Sequence, residues 1–101
     1  MTIKELKSLV ANEESEQLEF KKSTGELKGG METLCGFLNR NGGTVVFGVS
    51  ADGRIIGQNV SDSTLREVAN ELTKVDPACS FDQIRVKVTG AHEVLLLATA
   101  D

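Results

Sequence analysis

Near the middle of the chain, Thr44-Val45-Val46-Phe47-Gly48-Val49 form a nearly continuous apolar run. The run is short, rich in β-branched residues and free of polar alternation. A strand of that kind is a central one, covered on both faces, so other elements must be layered above and below it. The residues before it supply one such element. Leu27, Met31, Leu34, Cys35 and Leu38 recur at helical spacing and make one apolar stripe. Gly29 and Gly30 weaken the first turn, so the helix is expected to start nearer Gly30. Asn41-Gly42-Gly43 ends it, with glycine able to take the left-handed cap conformation. After the central run, Ser50-Ala51-Asp52-Gly53 reads as a turn, and Asp-Gly is a strong hairpin signal. Arg54-Ile55-Ile56-Gly57 would then be the returning strand.

The flanking segments fit the same plan. Thr2-Ile3-Lys4-Glu5 has the form of a capping box, and Ile3, Leu6, Leu9 and Val10 continue at helical spacing, which predicts a helix over residues 2–12. Residues 17–21 alternate, with Leu18 and Phe20 on one face and Gln17, Glu19 and Lys21 on the other. Thr64-Leu65-Arg66-Glu67 is a second capping box, and Leu65, Val68, Ala69, Leu72 and Val75 form its helix stripe, stopped by Asp76-Pro77. Residues 84–89 alternate, residues 90–93 turn, and residues 94–98 form a buried strand. The predicted order is α-β-α-β-β-α-β-β, an α/β (α+β) fold with a mixed, mostly antiparallel sheet and helices packed on it. A chain of 101 residues makes one domain. Because it stops just after an apolar strand, the expectation is an N-terminal fragment of a longer protein.

Several chemistries are excluded. Cys35 and Cys79 form no metal-binding pair, and with His92 as the only histidine a Cys/His zinc site has no support. Two free thiols fit a reducing cytoplasm. No secretory signal or membrane-length apolar run occurs. The glycines match neither a P-loop nor a dinucleotide fingerprint. His92 falls in a turn with no nucleophile set around it.

Charge is uneven. Residues 1–20 carry two Lys against five Glu, and residues 21–66 carry six Lys or Arg against four Asp or Glu. Residues 67–101 carry three against six, and the formal net charge is −4. The net value argues mildly against nucleic-acid binding, yet the middle segment is basic. It holds Lys21, Lys22, Lys28, Arg40 and Arg54, long cations of the type that contacts phosphates. Phe20 and Phe47 lie in strands and are expected in the core, so base stacking has no obvious platform. Among the acids, Glu14 and Glu19 would approach Asp52 if the strand at Leu18 pairs near the one at Val46. Three converging carboxylates hold a divalent metal such as Mg or Mn. No other cofactor is expected.

Three stretches resemble the AlbA-type domain of the Schlafen and RecG-related proteins. Glu14-Ser15-Glu16-Gln17-Leu18-Glu19-Phe20-Lys21 is similar to its E-x-x-x-x-E-F-K opening. The stretch from Phe37 through Asn41-Gly42-Gly43 to Gly48-Val49 is similar to its Asn- and Gly-Gly-containing segment. Asp52-Gly53-Arg54-Ile55-Ile56-Gly57 is similar to its D-G-x-I-x-G. The resemblance implies a DNA-binding, regulatory module of the kind found in bacterial transcriptional regulators and RecG-related helicase-like proteins, with Lys21 as the motif lysine. In some animal Schlafens it implies an endoribonuclease, for which Glu14 and Glu19 match the two glutamates and Asp52 the aspartate. The leading expectation is therefore a nucleic-acid module contacting phosphates through Lys21, Lys22, Lys28, Arg40 and Arg54. A metal-dependent nuclease and a dimerisation or protein-interaction domain that pairs through a strand edge are the alternatives.

Overall fold

A computed structural model describes residues 1–38, 41–75 and 81–99. Along the chain lie α1 (Ile3–Val10), β1 (Leu18–Lys21), a 3₁₀ turn (Thr24–Glu26) leading into α2 (Leu27–Leu38), and β2 (Gly43–Phe47). They are followed by β3 (Gln58–Asn59), α3 (Asp62–Leu72), β4 (Phe81–Thr89) and β5 (His92–Thr99). This is the predicted order of helices and strands. The five strands form one sheet in the order β1-β2-β5-β3, with β4 also paired to β5. Only β1 and β2 run parallel, with Phe20 opposite Val46. The other pairings are antiparallel.

The central run is buried on both faces, as its composition requires. Val45, Val46, Phe47 and Val49 are all fully buried. Val45 and Phe47 pack with Leu95 and Leu97 beneath Leu27, Met31, Leu34 and Phe37 of α2 and Val68 of α3. Val46 packs on the other face with Leu18, Phe20, Val86, Val94 and Leu96 against Leu6 and Val10 of α1. The sheet is therefore a middle layer between α1 and the α2–α3 pair. No helix among the described residues is long and apolar enough to cross a membrane.

Three local expectations change. Helix α2 starts at Leu27, before its glycines, because Ser23 caps the preceding 3₁₀ turn and Gly30 sits directly on Phe47. A Cβ at Gly30 would lie 2.5 Å from the Phe47 ring, so close helix–sheet packing offsets the ~1 kcal/mol helix cost of glycine. Helix α3 is capped one turn earlier than expected, by Ser61, with Thr64 as the reciprocal partner. It ends at Leu72, and the proposed Asp76-Pro77 stop lies outside the described residues.

The third change concerns the strand expected over residues 54–57. The turn is present, with Ser50 N–H donating to the Arg54 carbonyl at 2.9 Å, but only a single bridge, Val49 to Ile55, follows it. The reason is topological. Both edges of β2 are occupied, by β1 and by β5. The chain instead crosses over at Gly48 and Gly57, both at positive φ. It then pairs β3 with the part of β5 that β2 leaves free, Gln58 opposite Glu93.

Candidate nucleic-acid interface

The parallel β1–β2 pair sets the geometry of the site. Helix α2 connects the two strands, so its first turn and the chain beyond β2 both meet the carboxyl end of β1. In open α/β sheets this end is where ligands bind. The main-chain bonds are direct: Gly48 and Val49 both donate to the Lys21 carbonyl, at 2.7 and 3.1 Å. The 50–54 turn therefore begins one residue beyond the point where β1 ends.

Lys21 is the last residue of β1 and is half-buried. Its ammonium lies over the first turn of α2, 3.6 Å from where a Cβ on Gly29 would stand. Lys22 is exposed, and its N–H donates to Glu26 Oε2 at 2.9 Å. Lys28 is exposed in the first turn of α2. Arg54 is exposed at the end of the 50–54 turn. Lys21, Lys22 and Lys28 thus stand near the carboxyl end of β1 on the α2 side, while the turn carrying Arg54 packs on Val10 of α1, with Arg54 beside Asp52. Arg40 lies outside the described residues. Lys28 has acidic neighbours across the α2–α3 seam, since Glu67 and Glu71 line the same shallow depression. Lys21 and Arg54 have acidic neighbours as well, Glu14 and Asp52 respectively, and each carboxylate weakens the field of the cation beside it.

Sequence reasoning did not find what steadies this end. Thr24 N–H donates to Gln58 Oε1 at 2.7 Å, and Gln58 Nε2 donates back to Thr24 Oγ1 at 2.9 Å. This reciprocal pair ties the loop after Lys22 to β3. No spacing signal marks it, because the two residues are 34 positions apart.

The acids are arranged differently from the cations. Glu13 takes a positive φ of 60°, which turns the chain so that Glu14 comes back along β1. There Glu14 Oε1 accepts the Phe20 N–H at 3.2 Å. Burial raises the Glu14 pKa; the Phe20 N–H opposes this, while Glu19 beside it adds to the rise. Glu19 Oε2 in turn accepts a bond from the Thr33 hydroxyl of α2 at 3.3 Å. Asp52 shares a depression of about 270 Å³ with Glu13 and Glu14, floored by Val10 and Phe20. Its carboxylate is turned into its own loop, accepting from the Ser50 hydroxyl and from Arg54 N–H at 3.3 Å. The Ser50 bond, followed by the Arg54 N–H, lowers its pKa.

The predicted β1–β2 pairing therefore does bring Glu14 and Glu19 together and puts Asp52 across a shallow depression from Glu14. The donor set suits a hard cation such as Mg or Mn. The geometry does not: among the described residues no three acidic, histidine or cysteine side chains group closely enough to hold a metal.

The other singled-out residues fall as expected, except that His92 lies in strand β5 rather than in a turn. Phe20 and Phe47 are core residues, and Cys35 packs half-buried against the α2 core. His92 is exposed at the start of β5.

Comparison with known proteins adds one finding. The family model described as Schlafen, AlbA_2 matches residues 14–100. No curated protein sequence matches the chain.

Proposed function

The chain belongs to the Schlafen AlbA_2 family, and on that premise we propose that it is a nucleic-acid-binding, regulatory module, acting mainly on DNA through the phosphate backbone. One observation carries this reading. Lys21 and Lys22, Lys28, and Arg54 come from three places in the sequence and lie near the carboxyl end of β1, the two strand-end lysines and Lys28 with α2 and Arg54 on the turn beyond β2. Such a cluster neutralises phosphates on a polyanion and releases counterions. With Phe20, Phe37 and Phe47 in the core and Phe81 away on β4, the carboxyl end of β1 offers no stacking platform, so binding is weakly sequence-selective. The module type is that of transcriptional regulators and RecG-related helicase-like proteins, in which such a domain delivers an attached function to DNA.

Fluorescence anisotropy with labelled duplex DNA, single-stranded DNA and RNA tests the proposal across a salt series. The expected slope of log Kobs against log salt is about −3. Lys21→Ala or Arg54→Ala should make it shallower by about 1 and weaken every sequence alike. No binding at low salt would sink the proposal.

Glu14 and Glu19, adjacent at the same end, favour the nuclease as the second reading. Because Asp52 is held in its own turn, the chain alone is expected to leave labelled RNA intact with Mn²⁺. Cleavage that disappears in Glu19→Ala would instead establish the nuclease.

A further inference from the structure

The sheet has two outer edges, and they are treated differently. Along β1 the outward N–H groups are those of Leu18, Phe20 and Lys22. Each is met within the chain, by the Ser15 carbonyl, the Glu14 carboxylate and the Glu26 carboxylate respectively. No second strand can add there without displacing them.

The outward groups of β4 follow from the ladder. Thr44 N–H donates to the Gln17 carbonyl of the β1 side, so Val45 and Phe47 face β5. Their partners Leu97 and Leu95 face back, and the even-numbered residues of β5 therefore face β4. Ile84 and Val86, opposite Leu96 and Val94, point inward. Phe81, Gln83, Arg85 and Lys87 then turn their N–H and C=O groups outward. Among the described residues nothing bonds to these groups. Beside them lie partly buried apolar side chains, Phe81, Ile84 and Val88.

We infer that this edge pairs with the same edge of a second copy, antiparallel about a two-fold axis, joining the two sheets. The charges exclude the register centred on Arg85. With Arg85 opposite its twin, two guanidiniums would face each other, and the ladder would run into the bulge between Lys87 and Thr89. One step along, Ile84 meets its twin at a non-hydrogen-bonded position. Gln83 then stands opposite the partner's Arg85, and Phe81 opposite the partner's Lys87. No like charges face each other, and the Phe81–Lys87 pair is a cation–aromatic contact. Arg85 is also the best-anchored side chain of the edge, held by Glu93 at 2.7 and 3.0 Å, so its guanidinium is fixed in position, its charge partly balanced by that carboxylate. The two-fold makes every pair count twice.

Sedimentation velocity on the full chain tests this over concentrations up to about 1 mM. A reversible monomer–dimer equilibrium is expected. Gln83→Lys, which sets lysine against the partner's Arg85, should raise Kd by about tenfold, and Gln83→Glu should lower it by a similar factor. Gln83 is exposed, so both variants should fold, as circular dichroism would verify. With Cys35 and Cys79 changed to Ser, Ile84→Cys should oxidise readily to a cross-linked dimer. A chain that stays monomeric throughout overturns the inference. So does a dimer indifferent to the charge at position 83, or an edge that takes an extended peptide while the chain remains single.

Discussion

The β1 edge and the β4 edge of this sheet are made of similar backbone, yet one is closed and the other open. Four-residue β1 has each outward donor taken by a nearby turn or carboxylate. Nine-residue β4 turns alternate residues outward and, among the described residues, is blunted by charged side chains and a bulge near its end. The difference follows from how each strand is connected. β1 lies between two polar links, residues 11–17 and 22–26, which fold back along it and bring acceptors with them. β4 leads directly into β5 through the short turn at Gly90 and Ala91, so the connection after it is too short to fold back along its outside. Among the described residues, an edge is thus protected by loop chemistry on one side of the sheet and by charged side chains on the other.

The largest effect should come from proline along β4, where the consequence alternates with the ladder. Ile84→Pro removes a donor that bonds β5 and is expected to cost about 3 kcal/mol or more. Gln83→Pro removes only an outward donor, so it should fold with a loss within about 1 kcal/mol and fail to dimerise. Urea unfolding of the two variants reads the contrast directly. Equal losses would mean that the assigned inward and outward positions are wrong.

A smaller effect is expected on the closed edge. Glu14→Ala leaves the Phe20 N–H without its acceptor, at a cost of about 1 kcal/mol, whereas Glu14→Gln keeps a carbonyl in place and should lose less. Hydrogen exchange at Phe20 should quicken in the alanine variant and hardly change in the glutamine one. An alanine variant as stable and as protected as the wild type would show that the edge is closed by something other than Glu14.

The layered fold was legible because Val45, Val46, Phe47 and Val49 leave a strand no polar face, and because the helix stripes at Leu6, Val10, Leu34 and Val68 each have one apolar side to bury. The overreach at residues 54–57 came from the same local logic. Asp52-Gly53 makes a turn wherever it occurs, but whether a strand returns depends on a free edge of β2, and that is decided by β1 and β5. Among the candidate site residues, Lys21, Lys22, Lys28 and Arg54 were legible as cations, while the placing of Lys21 beside the first turn of α2 is a product of the β1–α2–β2 connection. The edge-capping role of Glu14 and the Thr24–Gln58 pair were not legible. One depends on a single left-handed residue, Glu13, and the other joins distant segments.

The smallest effect concerns pH, and it again separates the edges. The folded pKa of Glu14 is raised, with burial as the leading cause. A carboxyl raised on folding contributes stability that is present below its ordinary pKa and lost as pH rises through the raised value. Asp52 is the opposite case, lowered by the Ser50 hydroxyl, so its contribution is present above the ordinary aspartate value and lost as pH falls through the lowered one. Glu14→Gln removes the ionisation that costs stability, so its stability relative to the wild type should climb by a few tenths of a kcal/mol as pH rises from below the ordinary glutamate value to neutrality. Asp52→Asn should drift the other way, losing ground to the wild type as pH rises from strong acid. Gln83→Pro adds or removes no titrating group, so it should follow the wild-type pH curve in parallel. Thermal melts of the three variants across pH 3 to 7 would measure all three slopes. A Glu14→Gln difference that falls toward neutrality would mean that this carboxylate stabilises the closed edge as an anion, and the contrast with Asp52 would disappear.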